Sequence, residues 1–163
     1  MTEEARNSIV CIMQSQFMGE EAREIFLEYF EEEREGSLIG FCVLGGIFSE
    51  GIDLTEDKLI GAMIVGTGLP QVCNDREILK QYFDQKEMRG FDYAYLYPGM
   101  NKVLQAAGRV IRTEEDTGVI LLLDERFLGR SYLEIFPREW QGFAAGGIDY
   151  LVEQVEEFWK TLD

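Results

Sequence analysis

Histidine is absent from this 163-residue chain. That removes Ser-His-Asp hydrolysis, Cys-His proteolysis, HExxH zinc chemistry and any imidazole general base. Cysteine is scarce: Cys11, Cys42 and Cys73 are too few and too scattered for a disulfide framework or a four-ligand zinc site. Their free use fits a reduced, cytoplasmic setting. No apolar run approaches the roughly 20 residues that a membrane span needs, and no signal-peptide pattern is visible. Linkers, internal repeats and low-complexity segments are also missing. Basic residues are few, with 15 Lys and Arg against 31 Asp and Glu, for a net charge of −16. At first sight that balance argues against nucleic acid, because phosphate contacts need clustered Lys and Arg.

What is present is enough for a core. The chain is 46% hydrophobic and 28% charged, which excludes disorder and suits one domain over residues 1–163. The charge is unevenly spread. Residues 1–35 carry −7, residues 139–163 carry −5 and the long middle only −4. The terminal acids read as solvated helix faces, or else as an anionic surface for a basic partner. Within the middle, Pro98–Arg112 holds Lys102, Arg109 and Arg112 and no acid at all.

Hydrophobic patterning predicts alternating strands and helices. Ser8–Met13, Ser37–Leu44, Leu59–Val65 and Val119–Leu123 are apolar runs of strand length. Glu20–Glu33 carries Ala22, Ile25, Phe26, Tyr29 and Phe30 at helical spacing. Asn74 can cap a helix bearing Ile78, Leu79, Tyr82 and Phe83. Gly90–Pro98 reads as an aromatic connection, in which Tyr93, Tyr95 and Tyr97 suggest an edge strand with one aromatic face, or a base-stacking platform. Pro98 suits the start of a helix with Val103, Leu104, Ala107, Val110 and Ile111. A tail helix over about Ile148–Leu162 shows Leu151, Val152, Val155, Phe158, Trp159 and Leu162. Apolar strands alternating with amphipathic helices imply a parallel α/β sheet buried on both faces. Ligands of such sheets sit at the strands' carboxyl ends, which selects the loops after Leu44, Val65 and Leu123.

Three segments could carry chemistry. The loop GGIFSEGID at 45–53 offers glycines for positive φ or close approach, the Ser49 hydroxyl, and acceptors at Glu50 and Asp53. It lacks the lysine of a P-loop and is not GxGxxG, so a tight structural turn is an equal reading. The segment QAAGRVIR at 105–112 spaces Gln105, Arg109 and Arg112 at i, i+4, i+7, which on a helix is one face. Two guanidinium groups there suit a triphosphate, with salt bridges to glutamates as the plainer reading. Leu121–Glu125 ends an apolar strand in Asp124 and Glu125, read as a strand-end turn pairing with Arg126.

The two glycine- and arginine-bearing segments together resemble motifs V and VI in the second RecA-like domain of superfamily 2 helicases of the DinG/XPD type, in its bacterial form. LIGAMIVGTGLPQ between them, YAYLYPGMNKV before the second and RF…FPREW after it resemble the same family. The resemblance runs from about Ser8 to Trp140 and implies a three-layer RecA-like domain, a mostly parallel central sheet flanked by helices.

The resemblance also implies roles. Arg109 and Arg112 match arginine fingers that reach the γ-phosphate of ATP across a domain cleft, and Gln105 opens that motif. Glu50, Gly51 and Asp53 match positions that couple nucleotide to DNA, with Asp53 near the nucleotide. Ser49 and the Gly45–Gly46 backbone would face single-stranded DNA, and Gln14 corresponds to motif IV. Walker A, the DEAH-type box and motif III are missing from the sequence, as is the family's four-cysteine iron–sulfur cluster. The expected ATP site is therefore half of one. Magnesium ligands, any iron–sulfur cluster and the rest of the site belong to an N-terminal helicase domain supplied in cis or in trans, and the family's first strand–helix unit also lies outside the chain. The expected activity is ATP-driven unwinding of DNA, usually 5′→3′, with this chain inactive by itself. Two other readings stand beside it: a RecA-like interaction module that has lost catalysis and binds through its acidic flanks, and an unrelated small-molecule-binding α/β domain.

Overall fold

A computed structural model describes residues 8–48 and 58–162. The chain divides into two compact units, residues 1–124 and 125–163. In the first unit, β1 (Ile9–Met13) and β2 (Ser37–Phe41) pair in parallel, with Ile9 opposite Ser37 and Met13 opposite Phe41. Helix α1 (Glu20–Glu31) connects them in a βαβ unit. A second parallel pair joins β3 (Gly61–Val65) to β4 (Val119–Leu123), with Gly61 opposite Val119. Between these strands run α2 (Asn74–Gln85), a π-helical turn (Asp92–Leu96) and α3 (Tyr97–Ala107). Every pairing is parallel and every crossover helical, the α/β arrangement of a RecA-like domain. The described strands form two two-stranded sheets, with no ladder between β2 and β3.

The strands are not buried on both faces. Strand residues alternate sides. Ile9, Met13, Ile39 and Phe41 share one face of the first sheet and are exposed, Met13 at 72%. Met63 and Val65 do the same on the second, at 70% and 76%. The opposite faces are covered. On the first sheet the Phe30 ring lies over Gly40, 2.8 Å from where a Cβ would sit. Phe26 stacks on Phe48 with ring centroids 4.4 Å apart, and Ile12, Met18, Leu27 and Leu59 pack around the pair. The buried stripe of α1 is thus Phe26 with Leu27 and Phe30, while Ala22, Ile25 and Tyr29 of the expected face are exposed. The two phenylalanines meet the strand at Gly40, where the lack of a side chain leaves room for a ring.

The main core lies along the π-helical turn and α3. Ala94, Leu96, Met100, Val103 and Ala107 are all at most 3% exposed. The alternating tyrosines are therefore not an edge strand. A helical winding sends residues two apart to different sides, and Tyr95 is buried at 4% exposure, which removes it from any stacking platform. Tyr93 stacks on Phe83 at 4.2 Å and meets Tyr97 edge-on at 5.2 Å. Arg76 donates to the Ala94 carbonyl at 2.8 Å, tying α2 to this turn. Asn74 does not cap α2: the N-cap position is Cys73, without a side-chain bond, and the acids Asp75 and Glu77 sit in the first turn instead.

The Tyr95 hydroxyl donates to Glu77 Oε1 at 2.5 Å. That bond, then burial, pushes the phenol from 10.0 up to about 12. The folded state keeps the proton while the unfolded chain releases it near its ordinary value. Stability from this bond is therefore complete below pH 10 and falls as pH rises toward about 12. Urea midpoints measured across that window should fall less steeply for Tyr95→Phe than for the unaltered chain. Parallel curves would contradict the assignment.

The second unit contains a 3₁₀ turn (Glu125–Leu128), α4 (Arg130–Leu133), a 3₁₀ turn (Arg138–Trp140) and α5 (Ile148–Lys160). The first of these is the strand-end turn expected at Glu125. Phe127 and Tyr132 are buried and meet edge-on at 5.6 Å, and Phe136 contacts both Trp140 and Phe143. On α5, Leu151, Val155, Phe158 and Trp159 are half-buried and Val152 is exposed.

Candidate functional site

Gln14 directly follows β1. Its N–H donates to the Phe41 carbonyl at 2.8 Å, extending the ladder by one residue. Its Oε1 accepts the Val43 N–H at 2.9 Å, just beyond β2. With the oxygen so committed, the amide nitrogen is turned the other way, 3.2 Å from where a Cβ on Gly46 would sit. The Gly46 N–H closes a turn onto the Val43 carbonyl at 2.8 Å. Gly45 takes φ +76°, a left-handed conformation that a side chain disfavours. Gln14, Gly45 and Gly46 are thus brought together at the carboxyl ends of β1 and β2. Ser49, Glu50, Gly51 and Asp53 lie outside the described residues.

The loop after β3 joins the same end. A Cβ on Gly68 would meet Leu44 at 3.1 Å and the Gly99 carbonyl at 2.8 Å. The first turn of α3 therefore rests on residues 67–69. From there α3 runs back toward the strands' amino ends, where Val110 packs over Gly118 and the Val119 N–H bonds the Ile60 carbonyl at 3.0 Å.

The shared helical face of Gln105, Arg109 and Arg112 does not form. Gln105 is on α3 and exposed, but the helix stops at Ala107 and Gly108 is its C-cap. Glycine is a poor helix former and a good terminator. Arg109 and Val110 then close i→i+3 turns onto Ala106 (3.2 Å) and Ala107 (3.0 Å), and Val110 enters the core at 5% exposure. Arg109 is half-buried and Arg112 exposed. The arginines therefore occupy a turn at the amino ends of β3 and β4, away from the carboxyl ends where sheet logic placed the ligand.

Sequence reasoning missed what shapes that turn. Asp116 Oδ2 accepts the N–H groups of both Arg112 and Thr113 at 2.8 Å. Those backbone bonds, Thr113 first and Arg112 next, hold its carboxyl below the usual aspartate value. The available signal was an aspartate four residues after Arg112, followed by Thr117-Gly118, a side chain suited to fixing a turn. Lys102 was grouped with the arginines by its acid-free neighbourhood. The structure lays its stem over Gly45 instead, with Cδ 2.8 Å from the site of a Cβ there.

Among the described residues no group of three or more His, Cys, Asp or Glu could hold a metal ion, and no helix is long and apolar enough to cross a membrane.

Comparison with known proteins gives this geometry a context. A probable ATP-dependent helicase of Methanocaldococcus jannaschii is 28% identical over 131 residues, covering 75% of this chain and 19% of the relative. The ATP-dependent DNA helicase DinG of Photobacterium profundum is 31% identical over 116 residues, 70% of this chain and 17% of the relative. A regulator of telomere elongation helicase 1 homolog of Anopheles gambiae is 36% identical over 110 residues, 61% of this chain and 11% of the relative. The chain thus spans about a fifth or less of the length of these relatives. Residues 1–143 match the family described as helicase C-terminal domain, and the chain belongs to that family, in its DinG/XPD branch of superfamily 2 helicases.

Proposed function

We propose that this chain is the second motor domain of an ATP-dependent DNA helicase. In this reading Arg109 and Arg112 reach the γ-phosphate of ATP bound by an N-terminal RecA-like domain, with Gln105 beside them. Gln14, Gly45, Gly46 and Ser49 track single-stranded DNA, while Glu50, Gly51 and Asp53 link the two. The observation that carries it is the placement along α3. The arginine turn lies at one end of the strands, and the Gln14–Gly45–Gly46 cluster lies at the other. Lys102, whose stem lies on Gly45, precedes the last residue of α3 by five positions, about 8 Å at 1.5 Å per residue. One rigid element thus joins a guanidinium pair to a polar glycine turn, as coupling hydrolysis to movement along a strand requires.

The rest of the machinery is assigned elsewhere. Magnesium ligands are assigned by the same reading to the N-terminal domain. DNA contact through backbone groups and an amide needs little net charge, so −16 is compatible with it.

The test is complementation. The isolated chain should hydrolyse ATP negligibly, and adding a DinG-type N-terminal ATPase domain should restore turnover stimulated by single-stranded DNA. Robust hydrolysis by the chain alone would overturn the shared site. Capture of a basic protein, independent of ATP and DNA and with no complementation, would favour an interaction module instead.

A further inference from the structure

We infer that Lys102 grips a phosphodiester of single-stranded nucleic acid at the Gly45–Gly46 turn, as a backbone contact separate from the arginine pair. The inference rests on the DNA reading of that turn and extends it to a residue on another element. Three observations carry it.

The lysine stem is seated. Cδ, Cε and Cγ of Lys102 lie 2.8, 3.0 and 3.4 Å from where a Cβ on Gly45 would be. Only a residue without a side chain, in the left-handed conformation Gly45 adopts, leaves that channel open. The butylene chain covers backbone, as the stem of a half-buried lysine does.

The ammonium is uncommitted among the described residues. The chain has five lysines. Lys58 pairs with Glu31, Lys80 with Asp84 at 3.2 Å and Lys160 with Glu156 at 3.4 Å, while Lys86 sits 4.5 Å from the centre of the Tyr82 ring. Lys102 has no such partner among the described residues, although acids outnumber bases two to one. Within the described residues that leaves the ammonium for another anion.

A second donor adjoins it. Gln14 presents its amide nitrogen at Gly46, one residue along the turn, because its oxygen is held by the Val43 N–H. An ammonium on one glycine and an amide on the next suit a phosphate oxygen and sugar edge, with no base read. Lys102 belongs to the glycine turn at the strands' carboxyl ends and the arginines to the turn at their amino ends, so the phosphate assigned to it is one of a polynucleotide and not of ATP.

The test is lysine footprinting on the unaltered chain at low ionic strength. A short oligothymidylate should slow acetylation of Lys102 relative to Lys160, and ATP with magnesium should not. Lys102→Met should lower the slope of log affinity against log salt by about 0.7, one single-strand phosphate, and Lys102→Arg should keep the slope. Protection by ATP, or undiminished reactivity with the oligonucleotide bound, would overturn the assignment. If Gln14→Ala weakens oligonucleotide binding while Lys102→Met leaves the slope unchanged, Lys102 is wrong and the DNA reading stands. If the oligonucleotide neither binds nor protects, the DNA reading of this turn fails and takes the inference with it.

Discussion

Arg112→Ala and Arg109→Ala should each lower ATP turnover by about 10³-fold or more once the chain is joined to an N-terminal ATPase domain, with nucleotide affinity changed far less. The reason is where charge appears. As the γ-phosphoryl group transfers, negative charge spreads over its oxygens, and a guanidinium delivered from a second domain meets it mainly in the transition state. Such fingers are worth roughly 10³–10⁵ in rate in GTPases. The local structure suits delivery and not storage. Both arginines follow a helix end, in a turn whose backbone is fixed by Asp116 through the Arg112 and Thr113 amides. The backbone of that turn is held at Arg112 and Thr113. Single-turnover hydrolysis alongside nucleotide binding separates the two effects. An alanine variant that retains full turnover would strike that arginine from the site. One that lost affinity and rate equally would make it a ground-state contact.

Much of this was legible in the sequence. Strand positions came from apolar runs that end within three residues of the observed ends, and parallel pairing followed from the helices between them. The two motifs identified the family because order and spacing are sequence properties. Three features were not legible, each for a physical reason. The end of α3 depends on Gly108 terminating a helix whose apolar spacing continues to Val110 and Ile111, so periodicity overran the backbone. The tyrosines at 93, 95 and 97 alternate as a strand would, but the Tyr95–Glu77 bond and the Phe83–Tyr93 stack hold them in a π-helical turn. Both are tertiary contacts. The separation of Lys102 from Arg109 and Arg112 depends on α3 running back from the carboxyl end of β3 to its amino end. A charge count along the chain treats those three bases as one patch, whereas the fold divides them between two surfaces.

Gly99→Ala should destabilise the chain by about 1–3 kcal/mol, the usual cost of overfilling a tight core, although the same change in an open helix stabilises by up to about 1 kcal/mol. The sign turns on what the methyl group would meet. A Cβ on Gly99 would lie 2.8 Å from the Thr67 carbonyl oxygen and 3.1 Å from the Leu69 nitrogen. Both are backbone atoms, so no side-chain rotation relieves the clash, and either α3 or the loop must shift. The loop has little freedom to do so. Gly68 is at φ +65° with the Gly99 carbonyl 2.8 Å from its own Cβ site, and Thr67 is 2% exposed. Each glycine thus admits the other's backbone. Urea denaturation with a check on the m-value measures the loss, and a raised midpoint would show that the crossing is looser than these distances. The displacement should also reach function, because Lys102 is three residues along the same helix and its stem fits a channel only as wide as Gly45 leaves. A helix start lifted off the Thr67 loop carries Lys102 away from the Gly45 turn while Asp116 holds the arginine turn in place. DNA affinity should therefore fall by more than the arginine-dependent rate in the assembled motor. Equal losses in both would mean that α3 moves as one body and that Asp116 does not anchor its far end.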